Sequence, residues 1–547
     1  MKRVVDRRGA ISANRHTGPP DRRSCHEPST SRSLRPTRLP VVVGRESLLE
    51  QSSDSIIRMP LKALRKVLRF AVADEGSVKT RVMRSGIWVA TAEATVAILN
   101  IGRSIVLARL LSPEVFGLMG LVSIVVRTVE TFTRPGIGQA VIQRRDSFEI
   151  ARDTAFTLLL VRGLMLALLL AGLAPLVAWF YEADELGPML QVMSFVFLIG
   201  GLQNINLIAK QKDLDFRSIS HLDQVTAVLG TITTVIMAYW LRNVWALVIG
   251  QLATSGLYTL LSYYFVPGRP RITVNWRIAR ELLSYGKFIT ASSIVLFIAT
   301  ELDVAVLGKV VGPEQLGYYV LAFTIANLVT TNISKVVSRI MLPAYSALQT
   351  DMPALKRAYI RTLSSVLLLV LPAAVGTIMV AHPLIRAVYG ETWEQAIVPL
   401  QVLALFGLVR ALASFNGYLF EGIGQPNIAF RLALFRLSVI APMIVPMIKS
   451  YALLGAAITV TAGIAVQWMA GLIYLSRFAG ITWRDFARIL SGPLWKSGVM
   501  AGILYGMTVG MDLANLPGLA LLAGTGILSY GLLNVGELRR FRRQGSS

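Results

Sequence analysis

The sequence predicts an all-α polytopic membrane protein of about fourteen transmembrane helices: two six-helix lobes in parallel repeat, plus two extra C-terminal helices. Three observations predict it. Of 547 residues, 54% are hydrophobic and 16% charged, whereas a soluble domain carries about 25% charged residues. Apolar runs of bilayer-crossing length, about 20 residues, recur from residue 85 onward. The chain also resembles itself at a spacing of about 200 residues.

Residues 1–84 are rich in Arg, Ser and Pro and read as a disordered basic tail. They lack the continuous apolar stretch of a signal peptide. Within them, segment 56–73 sets Ile57, Leu61, Leu64 and Leu68 at helical spacing among Arg58, Lys62, Arg65, Lys66 and Arg69. That pattern reads as an amphipathic helix on the inner membrane surface; Met59 is an alternative start. The apolar runs then fall at 86–108, 115–134, 154–180, 188–208, 219–240, 243–266, 286–308, 316–340, 361–384, 395–420, 428–448, 451–476, 492–511 and 515–533. They group into an N-terminal lobe (85–267), a C-terminal lobe (285–477), helices 13 and 14 (488–534) and a short tail (535–547).

Alternate loops are basic. One set carries Arg144, Arg145 and Arg152; Lys210, Lys212 and Arg217; Arg269, Arg271, Arg277 and Arg280; Lys356 and Arg357; Arg477, Arg484 and Arg488; and the tail Arg539 to Arg543. The other set is short and poorer in Lys and Arg, with Glu182, Asp184 and Glu185 in one member. The positive-inside rule therefore places both termini in the cytoplasm. The turn 421–427 departs from the pattern, having no Lys or Arg. The same rule accounts for the formal charge of +24 without nucleic acid. Cys25 stands alone, and His16, His26, His221 and His382 lack metal-ligand spacing, so neither a disulfide nor a metal centre is expected. There is no nucleophile elbow, no P-loop and no loop long enough for a catalytic domain. The sequence thus predicts no enzyme and no cofactor.

The internal repeat is specific. Val106, Leu107, Pro113, Glu114 and Gly117 recur as Val306, Leu307, Pro313, Glu314 and Gly317, and Arg109 is answered by Lys309. Farther on, Leu190-Gln191-Val192 matches Leu400-Gln401-Val402, and Phe216-Arg217 matches Phe430-Arg431. Six helices per copy is an even number, so both copies insert with the same orientation. Transporters built this way hold substrate between the copies.

The stretch Ala108 to Pro113, with Glu114 and Phe116-Gly117-Leu118, resembles the hallmark of bacterial polysaccharide flippases. These are the Wzx-type proteins of the polysaccharide transport family. They share a superfamily with multidrug and toxin extrusion (MATE) exporters and the lipid II flippase. Gly136 to Gln143, and in the second half Asp303, Leu307-Gly308 and Gly317-Tyr318, are similar to the same pattern. The resemblance covers about residues 80–480. It implies a V-shaped pair of lobes around a central cavity in the bacterial inner membrane. It further implies transfer of undecaprenyl-pyrophosphate-linked oligosaccharide to the periplasmic leaflet, for exopolysaccharide, capsule or O-antigen. The implied partners are the lipid-linked oligosaccharide, membrane lipids, and the polymerase and export machinery downstream. Helices 13 and 14 lie outside the repeat, and the N-terminal extension has no counterpart. An ion-coupled, MATE-like exporter of small molecules is the alternative; such a pump would favour an acidic, aromatic-lined cavity. A polysaccharide polymerase is disfavoured by the short loops.

Charge inside a bilayer costs about 2.5–3.5 kcal/mol on insertion scales and marks functional positions. Arg127, Arg162, Lys335, Arg410 and Arg436 are assigned to the cytoplasmic half of the membrane, and Arg103, Glu301 and Asp303 to the periplasmic half. The first set reads as an inward-opening cationic funnel for pyrophosphate, which the guanidinium fork suits. Asn327, Thr331 and Lys335 share one face of helix 8 and would meet the sugar, or serve ordinary helix packing. Plainer readings stand beside these. Arg127 can pair with Glu130 at i, i+3. Arg162 and Arg436 can snorkel to the headgroups. Arg103 and Asp303, equivalent in the two halves, form a gate between lobes or pair within their own. Glu301 belongs with that gate. Glu93 carries a coupling proton or a structural salt bridge.

Overall fold

The computed structural model describes residues 78–133, 137–143, 148–213, 215–511 and 515–544. It includes their side chains except those of 78–87, 139, 142–143, 148, 283–292, 329–340, 343, 426 and 535–544. The tail, the amphipathic segment 56–73 and Met59 lie outside the described residues, as do the side chains of Thr331 and Lys335.

Every regular element among the described residues is helical. Hydrocarbon offers backbone groups no water, and a helix satisfies them within one segment. The helices are α1 (Val78–Leu110), α2 (Pro113–Phe132), α3 (Ile137–Gln143), α4 (Phe148–Tyr181), α5 (Leu186–Met193), α6 (Phe195–Gly201), α7 (Asn206–Lys212), α8 (Phe216–Leu241), α9 (Trp245–Phe265), α10 (Trp276–Ala347), α11 (Met352–Leu384), α12 (Ile397–Gly422), α13 (Pro426–Ala479), α14 (Trp483–Gly510) and α15 (Leu516–Gln544). Nine of the described helices are long and apolar enough to cross a membrane, or ten if the bent pair within 186–212 counts as one span. That criterion takes each continuous helix once, and the predicted count of fourteen is not confirmed by it. Large apolar side chains such as Trp240, Leu260, Tyr264 and Leu532 stand on the outside, as lipid contact requires.

Two long helices fold back on themselves. In α10 the chain turns at Gly312, with φ 83° and ψ 175°, a backbone region open essentially to glycine. In α13 it turns at Ala452, where the backbone is left-handed, and Gly455 lies against the Met447 carbonyl. The run expected as one helix over 188–208 is instead broken, with a bend of 58° before α7. Asn204 accounts for the break. Its amide donates to the Val266 carbonyl at 2.8 Å, and its side-chain oxygen accepts from the amides of Asn206. A buried side chain thus takes over backbone partners that a continuous helix would have used.

The connection between the halves is fastened to the first. Thr157 exchanges two hydrogen bonds with the Thr273 backbone, and Thr154 accepts from the Asn275 amide. Asn275 then caps α10 by accepting from the Ile278 amide. Ile278 and Leu282 pack with Ile137, Ala151 and Ile205, so α10 starts as part of the first half.

At the other end of the chain, Thr482 and Asp485 form a capping box on α14. Asp485 also accepts from Lys356 Nζ on α11 at 2.7 Å. The Lys356 hydrogen bond, then the Thr482 amide, hold the Asp485 carboxyl at about 2, below the usual carboxylate range. A depressed folded value stabilises above the unfolded value of about 3.9. That contribution is lost as pH falls through about 2. Unfolding midpoints of purified protein should fall across this acid window. The loss should be shallower in the Asp485→Asn variant.

Candidate functional site

The two copies of the repeated motif cross each other. A Cβ on Gly117 would sit 1.7 Å from the Pro313 carbonyl oxygen, and one on Gly317 would sit 1.8 Å from that of Pro113. The contact is reciprocal: each copy's glycine takes the other's proline carbonyl, as a two-fold relation between equivalent motifs demands. Small residues let helix backbones approach this closely in lipid. Leu121, Val122, Leu316 and Tyr319 bury themselves around the crossing.

The same end is tied by two basic side chains at equivalent repeat positions. Arg109 donates to the carbonyls of Val388 and Ala387, at 2.7 and 2.6 Å, in the second half. Lys309 donates to Glu182 Oε1, at 2.7 Å, in the first. That bond holds the Glu182 carboxyl below its usual range. The buried Trp393 indole donates to the Ala108 carbonyl at 2.9 Å. Its ring meets Phe116 and Tyr318 edge-on, at 5.1 and 5.9 Å between centroids. Trp393 thereby touches both motifs. Its position comes from the break after α11, a π turn over Ile385–Tyr389 followed by a 3-10 turn over Glu391–Ala396.

Beyond the crossing lies a cavity of about 350 Å³, lined by Arg103, Arg127, Gln251, Glu301, Phe323 and Thr324 among others. α1 and α2 supply the arginines, α9 the glutamine, and α10 the remainder. Arg127 Nη2 and Glu301 Oε2 form an ion pair of 2.9 Å across the halves. Behind this wall, the Tyr319 hydroxyl donates to Asp303 Oδ2 at 2.5 Å, both residues being buried. Arg436 is buried nearby, with its guanidinium carbon 5.8 Å from the Phe406 ring centre and its Nε lacking a hydrogen-bond partner. Arg410 donates to Asn327 Oδ1 at 2.9 Å. Two guanidinium groups, those of Arg103 and Arg127, thus border a cavity that can admit an anion.

Residues 106–398 match the family described as "Polysaccharide biosynthesis protein". The chain belongs to that family. Among its relatives, the lipopolysaccharide biosynthesis protein WzxC of Escherichia coli (strain K12) is 26% identical over 373 residues, covering 68% of this chain and 75% of its own. The teichuronic acid biosynthesis protein TuaB of Bacillus subtilis (strain 168) is 25% identical over 410 residues, covering 73% of this chain and 84% of its own. The fold is that of solved transporters. The lipid II flippase MurJ in an inward closed conformation superposes with a TM-score of 0.67 at 16% identity, over 83% of this chain and 99% of that one. An inward-facing MATE family multidrug resistance transporter gives 0.56 at 16% identity, over 73% and 98%.

In this polysaccharide biosynthesis protein the residues named from sequence scatter over several roles. Arg103, Arg127 and Glu301 meet at the cavity. Asn327 and Arg410 meet each other, and Asp303 and Arg436 lie behind the wall. Arg127 and Glu301, read from sequence as lying in opposite halves of the membrane, are in direct contact. Desolvated charge requires a near partner, and helical depth read from sequence cannot say which helix brings it. Arg127 pairs with Glu301 rather than Glu130. Arg162 caps the end of α2 instead of facing the cavity, donating to the carbonyls of Thr133 and Glu130. Among the described residues no ion pair joins Arg103 to Asp303; Asp303 accepts from Tyr319 within its own half. Glu93 lies within electrostatic reach of Asp223, which bonds the Tyr258 hydroxyl. Thr331 and Lys335 lie outside the described side chains.

Sequence reasoning missed Tyr319, Trp393 and the crossing itself. The signal for the crossing was present. Both motifs place a glycine four residues after a proline, and a repeat with two-fold symmetry brings equivalent residues together at its axis.

Proposed function

We propose that the protein is a flippase, moving undecaprenyl-pyrophosphate-linked oligosaccharide across the bacterial inner membrane by alternating access. The observation that carries this reading is the cavity between the halves. Among the described residues, Arg103 and Arg127 line it with Glu301, Arg410 lies within the field of Glu301, and Arg436 and Asp303 are buried behind the wall. An excess of guanidinium suits a pyrophosphate headgroup and disfavours the small cations a drug exporter would carry. The relatives named for lipopolysaccharide and teichuronic acid biosynthesis point to the same substrate class.

On this reading 85–267 and 285–477 move as lobes, with both termini cytoplasmic by the basic loops. The Gly117–Gly317 crossing is then the periplasmic seal, and the cavity awaits its lipid from the cytoplasmic side. The polymerase and export machinery consume the delivered units. Helices 13 and 14, at 488–534, stand outside the lobes beside membrane lipid.

The test is a deletion strain whose membrane lipids are extracted. Complete lipid-linked repeat units should accumulate while surface polymer is lost, and unchanged intermediates with normal polymer would reject the reading. Complementation by Arg127→Ala or Arg410→Ala should leave export at least tenfold below wild type, the order expected for loss of one charged phosphate contact. Membrane abundance should be retained. Normal export in both variants would remove the anion-binding role of the cavity.

A further inference from the structure

Among the described residues two ion pairs join the halves, Lys309–Glu182 and Arg127–Glu301. The first lies at the crossing. The second faces the cavity, with the Arg127 side chain 51% and that of Glu301 22% exposed. Glu301 has a second guanidinium in its field, that of Arg410. A carboxylate held on a cavity-facing arginine occupies the place an incoming phosphate oxygen would take, with the same charge and the same oxygen acceptors.

We propose that Glu301 is an internal stand-in for the substrate's phosphate. The headgroup takes Arg127 from Glu301, and the released carboxylate turns toward Arg410. This rests on the pyrophosphate-lipid reading above. The exchange is favourable because a half-exposed single ion pair is weak, whereas a pyrophosphate offers several oxygens and more charge to the guanidinium fork. Substrate binding thereby breaks the ion pair that joins the halves at the cavity, and an empty cavity restores it. Glu301 sets a threshold: ligands too weakly anionic to compete for Arg127 leave the halves joined.

The test uses the full-length purified protein and geranylgeranyl pyrophosphate, with uncharged geranylgeraniol as control, followed by intrinsic tryptophan fluorescence. Removing the competitor should tighten pyrophosphate binding. Glu301→Gln and Glu301→Ala should each bind about fivefold more tightly than wild type, the factor expected on losing an exposed ion pair. Arg127→Gln should bind more weakly than wild type, and geranylgeraniol should show no difference among the variants. Either Glu301 variant binding more tightly supports the proposal. Equal or weaker binding by both, with wild type still binding, overturns the stand-in role and leaves the pyrophosphate reading intact. Absence of saturable binding by wild type overturns both.

Discussion

Cross-linking α2 to α10 at their crossing is expected to stop transport, and reduction to restore it. A Cβ on Gly120 would lie 3.2 Å from a Val320 methyl, so Gly120→Cys and Val320→Cys face each other across the crossing at side-chain contact. Cys25 is the only native cysteine, so Cys25→Ser provides a clean background. The bond would lie one turn beyond the Gly117–Gly317 contact and hold the seal shut. Transport in everted vesicles should fall to background under oxidation and recover on adding a thiol. Each single-cysteine chain should be indifferent to both treatments. Full transport in a quantitatively cross-linked sample would mean that the crossing never opens. Packing makes this test sharp. Arg109, Lys309 and Trp393 already tie the halves at that end, so the added bond captures an arrangement the protein adopts.

The second large effect is expected at Asp303. Its carboxylate is buried on Tyr319 and faces the field of buried Arg436. Removing the buried carboxylate leaves the Tyr319 hydroxyl without its acceptor and Arg436 without an opposite charge in its field, at a cost of about 1–3 kcal/mol. Asp303→Leu should therefore lower the unfolding free energy in detergent by that order and reduce membrane abundance. Replacing both charges, Asp303→Leu with Arg436→Met, should recover part of the stability, since apolar substitutes for a buried pair are often neutral or better. Transport should remain impaired in the double variant, because Tyr319 loses the acceptor that fixes it in the cavity wall. Asp303→Leu as stable as wild type would show that Arg436 does not depend on this carboxylate. A double variant as unstable as Asp303→Leu would show that the two charges are not coupled.

The four arginines and two carboxylates around the cavity were all legible in sequence, because charge in an apolar run stands out. Their pairing was not. Arg127 and Glu301 are separated by 174 positions, and no local rule chooses Glu301 over Glu130 three residues away. Arg162 illustrates the limit further. An arginine one third of the way into an apolar helix reads as functional, yet it closes the open carbonyls at the end of α2. A helix end inside a bundle needs such a donor. Asn204 sits inside a run read as one helix, yet it bends the chain by donating to the Ser262 carbonyl at the end of α9 and to those of Val266 and Gly268 just after it.

The sequence by itself determined the helical class, the repeat and the identity of the charged side chains. Hydrophobic run length, loop charge and period are local quantities, set by the bilayer and readable residue by residue. Only the tertiary structure decided that the two copies of the Pro-Glu-x-x-Gly motif meet face to face and that Glu301 lies on Arg127. It also decided that Trp393 seals against both motifs and that Tyr319 binds Asp303. These contacts join residues far apart along the chain, and their selection rests on which helices can approach closely enough. Two glycines without Cβ atoms grant that approach at the crossing, and the cavity forms in the space beyond it.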